Sequence, residues 1–258
     1  MGVLFLNPFR FETGAAQLLL DTYTSSLAAY SIRKLSSSYS GSAIRIRRDS
    51  DNTEQDFGFD SNGELDTTSI ETFCSPSSNA YVTIWYDQSG NGNDAVQSTA
   101  SQQPQIVSLG SVLTNYGKPS IVFDGTNDWL NGNISDSTYN QFFMVKDTAG
   151  DTSLAFSGAV RLTDSRYDTT SDDITFSASA GLFNIDNTNV KGYLNGVDET
   201  DVGVTAFAQN FNRLYLGSIN GNSGFGSGDI QELIVFDADY SSNRTDIESN
   251  INGYFGVY

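Results

Sequence analysis

The sequence predicts an all-β fold, two antiparallel sheets packed as a sandwich with a few short helices. Composition is the first reason: 24 Gly stand against 4 Pro, and Ser, Thr, Asn and Asp recur throughout, the mixture that joins many short strands by turns. The second is residues 80–86, AYVTIWY, rich in β-branched and aromatic side chains and closed by turn-forming residues. The third is Asn195-Gly196, the dipeptide best suited to a two-residue hairpin, set between KGYL and Val197. With 17 Phe and 13 Tyr, the chain can fill the space between two sheets.

Along the chain, residues 1–11 (MGVLFLNPFRF) hold an apolar run without a basic start or a small-residue cleavage site, so no signal peptide is expected. Residues 1–14 read either as an edge strand or as an arm docked on a neighbouring subunit, and residues 15–258 as one domain. Residues 15–30 carry apolar residues at helical as well as strand spacing, which allows a short helix. Residues 43–48 (AIRIRR) alternate with period two, as a half-buried strand does, placing Arg45 and Arg47 on one face. Residues 65–74 predict a helix capped by Thr or Ser, with Cys74 as inert packing. Strands are expected at 80–86, 120–123, 142–145, 153–156, 174–178, 181–185, 191–194, 213–216 and 229–236. Residues 241–254 close the chain as a short helix capped by Ser241, with Ile247 and Ile251 one turn apart.

Charge and missing residue types exclude several functions. Thirteen Lys and Arg against 31 Asp and Glu give a net charge of -18, which repels nucleic acid phosphates. There is no His, so Ser-His and Cys-His nucleophile pairs and imidazole metal sites are ruled out. Cys74 is alone, which removes internal disulfides and cysteine zinc sites. No apolar stretch approaches the ~20 residues of a membrane helix, so no membrane span is expected.

Three groups of residues invite a functional reading. Asp87, Ser89 and Asn91 follow the opening spacing of a calcium loop, yet the twelfth position is Ser98 where a bidentate Glu belongs. The expectation is a structural turn and no cofactor, with calcium as the alternative. Arg45, Arg47 and Arg48 lie beside Asp49, Asp51, Glu54 and Asp56; internal pairing is expected, and contact with a subunit or an anion is the alternative. Trp129, in the polar context DGTNDWLNG, is the candidate sugar platform, with Asp128, Asn131 and Tyr139 as its nearest polar partners.

Two stretches carry a family resemblance. Residues 28–59 (AAYSIRKLSSSYSGSAIRIRRDSDNTEQDFGF), 82–95 (VTIWYDQSGNGNDA) and 119–125 (PSIVFDG) resemble the N-terminal part of the arabinofuranosidase B catalytic-domain family, and the same block resembles phage structural and tail-associated proteins. Residues 190–197 (VKGYLNGV), 213–218 (RLYLGS) and 228–256 resemble the end of concanavalin A-like and laminin G-like domains, which implies a jelly-roll sandwich. In the arabinofuranosidase family the nucleophile carboxylate follows a Cys pair after the central strand. The corresponding residues 144–162 (MVKDTAGDTSLAFSGAVRL) lack that pair and contain only Asp147 and Asp151, read as loop carboxylates. The resulting expectation is a phage virion protein on the particle surface (decoration, fibre or tail-tip subunit) that forms a homo-oligomer and binds other virion proteins or a host-surface glycan without turnover. The alternatives are a glycoside hydrolase of arabinofuranosidase-like type and a purely architectural subunit.

Overall fold

The computed structural model describes residues 18–134, 141–150, 152–156, 160–163, 166–168, 173–187, 189–200 and 213–258. The expected arm at residues 1–14, Tyr139 and Asp151 lie outside the described residues.

The strands follow the turn chemistry. β1 (Ser26–Ser31), β2 (Ile44–Arg48), β3 (Glu54–Phe57), β4 (Ala80–Trp85), β5 (Ala95–Val96), β6 (Gln105–Ser108) and β7 (Ser111–Val112) lead to a small hairpin, β8 (Thr114–Asn115) and β9 (Lys118–Pro119). After it come β10 (Ile121–Asp124), β11 (Leu130–Gly132), β12 (Gln141–Gly150), β13 (Thr152–Phe156), β14 (Val160–Thr163), β15 (Arg166–Asp168) and β16 (Asp173–Thr175). β17 (Ala180–Asp186), β18 (Lys191–Leu194), β19 (Val197–Asp198), β20 (Leu214–Leu216) and β21 (Gly226–Phe236) complete the set. The Asn195-Gly196 turn joins β18 to β19, with both residues at the positive φ that such a turn requires.

These strands build an antiparallel jelly-roll sandwich. One layer runs β3-β2-β4-β6-β10-β21-β12-β17-β18, and β1 pairs with the C-terminal half of β21 beyond β10. The other runs β5-β11-β20-β13-β14-β15-β16. β4 is the corner: Tyr81 pairs with β6 of the first layer, while Ile84 and Trp85 pair with β5 of the second. Trp85, Tyr30, Phe123, Phe142, Phe183 and Tyr167 are fully or almost fully buried, each aliphatic or aromatic side chain contributing roughly 1.5–3 kcal/mol by leaving water. Phe142 of one layer meets Tyr167 of the other at 5.9 Å between ring centroids.

Three helices form within the segments read as helical, with changed boundaries. α1 (Leu19–Thr22) is the short helix allowed within residues 15–30, and β1 follows it, because SLAAYS is buried at all six positions and finds a ladder on β21. α2 (Thr67–Cys74) is capped by Asp66, whose carboxylate accepts the Ser69 N–H at 3.0 Å, instead of by Thr or Ser. Cys74 is buried and free, as expected of packing. α3 (Arg244–Phe255) buries Ile247 and Ile251, while Ser241 opens a preceding 3-10 turn rather than capping the helix.

β12 differs most from expectation. A strand at 142–145 followed by a loop was predicted, yet β12 continues to Gly150 through the polar run KDTAG. The reason is its position between two long partners, β21 and β17, whose ladders supply backbone hydrogen bonds that side-chain polarity cannot veto.

Candidate carbohydrate site on the outer face of the first layer

The register of the first layer lines up residues from six strands. Arg47 stands opposite Tyr81, Tyr81 opposite Gln105, Gln105 opposite Val122, Val122 opposite Asp229, and Asp229 opposite Asp147. Directly opposed residues of antiparallel strands share a face, so all six project from one side. None of them is buried, whereas their chain neighbours Ile46, Val82, Ile106, Ile121, Ile230 and Lys146 are. The row is therefore the outer face, and the alternation that buries one side exposes this one.

α3 covers only part of that face. A register shift in β21 opposite Val145 and Lys146 brings Glu232 onto the side shared by Val145 and Asp147. Glu232 there holds Arg33 through two hydrogen bonds of 2.8 and 3.0 Å, and Ser31 donates to the same carboxylate at 2.7 Å. Arg33 in turn donates to Asn250 of α3 and lies over the rings of Tyr254 and Phe255. This buried pair anchors the helix at one end of β21 and leaves the Asp229 end open.

At the open end two carboxylates converge. Asn115 Nδ2 donates to Asp229 Oδ2 at 3.1 Å and reaches Asp147 Oδ2 at 3.3 Å. One shared nitrogen ties those two oxygens together. Asn115 is placed by Gln231, whose side-chain amide donates to the carbonyls of Asn115, Lys118 and Pro119 at 2.8, 3.2 and 3.0 Å, tying the β8-β9 hairpin to β21. Burial raises the Asp229 pKa, with the Asp147 charge adding and the Asn115 amide opposing. Tyr116, on the hairpin turn, is pushed up by burial and by the charges of the same two carboxylates.

Next to the pair lies a groove of about 470 Å³ lined by Arg47, Asp49, Tyr81, Gln103, Gln105, Val122, Asp124 and Asp128, with Ala100 and Ser101 on its rim. Asp124 Oδ1 accepts the backbone N–H groups of Thr126, Asn127 and Asp128, which makes the turn. Asp128 Oδ2 accepts the Asp124 N–H at 3.1 Å. The Asp128 side chain belongs to a residue only 7% exposed; burial first, then the Asp124 charge, pushes its pKa up to about 7.

The residues singled out from sequence part company. Asp128 lines the groove, but Trp129 packs between Gly221 and Tyr215, and its indole N–H is buried without a hydrogen-bond partner. Asn131 is on β11 of the second layer, paired to Val96 and Tyr215. Tyr139, the fourth residue of that group, lies outside the described residues. Arg45 is engaged by Asp56 through two 2.7 Å hydrogen bonds, and Arg48 by Asp51 and the Phe73 carbonyl, so internal pairing accounts for both. Arg47 donates to Gln103, Asn52 and the Ala100 carbonyl and lies over Tyr81, which puts it in the groove wall.

The Asp87 loop is held by its own hydrogen bonds. Asp87 Oδ1 accepts the N–H of Ala29 and Ser89, and Oδ2 accepts the Ser89 hydroxyl and the Asn93 N–H, all within 3.0 Å. Four donors fill a carboxylate. Asn91 donates its amide to the Ser26 and Leu27 carbonyls, stitching the loop to β1. Asp147, expected in a loop, stands instead on β12, and Asn115, Asp229, Tyr81 and Gln105 carried no sequence signal beyond their place in strands or turns.

The sequence model of the family "Alpha-L-arabinofuranosidase B, catalytic" matches residues 18–125. No curated protein matches the chain. Among solved structures, an arabinofuranosidase complexed with arabinofuranosyl-α-1,2-xylobiose superposes with a TM-score of 0.64 at 17% identity. A GH54 α-L-arabinofuranosidase soaked with a cyclic sulfate inhibitor gives 0.67 at 17%. A Glu-to-Gln mutant of a GH54 α-L-arabinofuranosidase soaked with 4-nitrophenyl α-L-arabinofuranoside gives 0.65 at 15%. Each alignment covers 90% of this chain, and the chain spans 64% of the length of those structures. At this identity the likeness is one of fold. The matches overturn the expectation of a phage virion subunit: the matching family model is that of an arabinofuranosidase catalytic domain, and these three structures of like fold are arabinofuranosidases, not virion proteins. Among the described residues no helix is long and apolar enough to cross a membrane.

Proposed function

We propose that this chain is a glycoside hydrolase domain of arabinofuranosidase-like type, removing α-L-arabinofuranosyl units with Asp147 and Asp229 as its carboxyl pair. The observation that carries the reading is the pair itself: two carboxylates on adjacent strands of an open face, bridged by the Asn115 amide. Asp147 is also one of the two carboxylates in the segment where the family resemblance expects a nucleophile. The family match over residues 18–125 and the arabinofuranosidase fold support the choice of sugar.

In this reading Asp229, whose pKa burial raises, gives its proton to the glycosidic oxygen as that bond breaks. Asp147 attacks the anomeric carbon and forms an ester, and the aglycone leaves as an alcohol. Asp229, now a carboxylate, then takes a proton from the water that attacks the ester, freeing Asp147 and releasing the sugar with its anomeric configuration retained. Asn115 offers its amide to both carboxylates and steadies each while it is charged.

The test is release of arabinose from 4-nitrophenyl α-L-arabinofuranoside and from arabinofuranosyl-α-1,2-xylobiose. Wild type should release it, and Asp147→Asn and Asp229→Asn should each lower kcat/KM by roughly 10²–10⁴. No release by wild type, or variants as active as wild type, overturns the proposal.

A further inference from the structure

We infer that the Ser120 hydroxyl is a donor shared between Gln231 and Asp229, turning from one to the other as Asp229 gives up and regains its proton, which makes Ser120 a positioning residue for the acid of the site. Its part in catalysis rests on the hydrolase reading, while the sharing itself stands on the packing between β10 and β21.

Placement comes from the register. Ile121 pairs with Ile230 and Val122 with Asp229, which sets Ser120, one residue earlier, across from Gln231. Alternation puts Ser120 on the face of Val122, where Asp229 is its diagonal neighbour. The Ser120 N–H donates to the Leu113 carbonyl at 2.9 Å. Just before it, the carbonyls of Lys118 and Pro119 accept the Gln231 amide at 3.2 and 3.0 Å. The backbone of Ser120 is thus held on both sides, and its hydroxyl moves by rotation between staggered χ1 positions.

Hydrogen-bond accounting is the second step. Ser120 and Gln231 are fully buried, and Ser120 Oγ and Gln231 Oε1 are each sealed from solvent without a hydrogen-bond partner. Buried polar atoms are normally satisfied. A hydroxyl can donate and an amide oxygen can only accept, so the two are complementary. Gln231 Nε2 is committed to the β8-β9 hairpin, which leaves Oε1 to receive a donor from the residue across from it.

Asp229 is the competing acceptor. Burial raises its pKa, and among the groups that oppose the rise the Ser120 hydroxyl comes ahead of the Asn115 amide. Among the described residues, the titratable groups facing Asp229 are Asp147 from β12 and Tyr116 from the hairpin, both acidic, while β10 brings Ser120 and the apolar Val122. A neutral Asp229 leaves the hydroxyl to Gln231. A charged one draws it away, because a hydrogen bond to an ion is roughly twice as strong as one between neutral groups. As Asp229 hands its proton to the glycosidic oxygen, the hydroxyl swings to the new carboxylate; when Asp229 takes a proton from the attacking water, it swings back. No covalent bond to Ser120 forms or breaks.

The experiment is an NMR titration of protein isotopically labelled at Asp carboxyl and Ser Cβ carbons, with signals assigned through the backbone and arabinose release followed on the same samples. In wild type the Ser120 Cβ signal should shift as Asp229 ionises, and it should stay still in Asp229→Asn. In Ser120→Ala the Asp229 titration should move to higher pH, since its charged form loses a donor, and Ser120→Thr, which keeps the hydroxyl, should restore it. Ser120→Ala should also lower kcat by roughly three- to ten-fold with KM unchanged. A Ser120 signal indifferent to Asp229, or an Asp229 titration unmoved in Ser120→Ala, overturns the inference, and the first of these is read on wild type whether or not Ser120→Ala folds. The expected titration in a protein that releases no arabinose sinks the hydrolase reading alone; arabinose release with a silent Ser120 sinks the shared hydroxyl alone.

Discussion

Asp147 and Asp229 face each other from adjacent antiparallel strands, and a single amide nitrogen of Asn115 lies 3.3 Å from one and 3.1 Å from the other. The pair is made by three segments distant in sequence, and the hairpin that bears Asn115 is itself held down by Gln231 of the Asp229 strand. Its chemistry therefore depends on how well those segments are held in register.

The first prediction concerns pH. Asp229 must be protonated to act as the acid, so kcat/KM should fall as pH rises through its raised pKa. Asp229→Asn should abolish that alkaline limb together with most activity. Asn115→Ala removes a donor that favours the charged form of Asp229, so the limb should move to higher pH. A limb unmoved in Asn115→Ala argues against Asp229 as the acid.

Gly228 adjoins the pair at a φ of +116°, and a Cβ there would sit 2.2 Å from the Asp147 carbonyl oxygen. Gly228→Ala should force β12 and β21 apart at the site, costing on the order of 1–3 kcal/mol of stability. It should also lower kcat by roughly 10², because the two carboxyls lose their alignment. Urea denaturation and steady-state kinetics on one preparation check both effects.

Asp128 gives a stability signature. Its folded pKa of about 7 lies above the usual carboxylate value of 3.8, so between those values the folded state holds the proton more tightly than the unfolded state does. Stability from this group is whole below pH ~4 and is lost as pH rises through 7. Asp128→Asn keeps an acceptor for the Asp124 N–H and cannot ionise. It should be more stable than wild type at pH 8, by up to about 4 kcal/mol, with the gap closing toward pH 4. Thermal melts across that range show whether the gap closes.

Glu232 carries the anchor of α3. Its carboxylate is buried and receives Arg33 and Ser31, so Glu232→Ala leaves an uncompensated guanidinium and should cost about 3–5 kcal/mol. A loss below 1 kcal/mol in chemical denaturation would show that water relieves Arg33.

Legibility varied with the range of the interaction. β4, the Asn195-Gly196 hairpin and the Asp87 turn were readable because each is decided by neighbours a few residues away. β12 beyond Val145 was not, since Lys146–Gly150 is polar and becomes strand only on the β21 ladder, with β17 pairing as far as Asp147. The partners of half-buried Trp129 were not legible for a related reason: a polar local context says nothing about Gly221 and Tyr215, which arrive from far along the chain to pack on it.

By itself the sequence determined the all-β sandwich, the exclusion of histidine and disulfide chemistry, and the turns, because composition and short-range periodicity suffice for these. Only the tertiary structure decided that Asp147, Asp229 and Asn115 meet, and that Arg47, Tyr81, Gln105 and Val122 continue their row. Strand register sets that, and register comes from pairing between segments up to about two hundred residues apart, where no local pattern reaches.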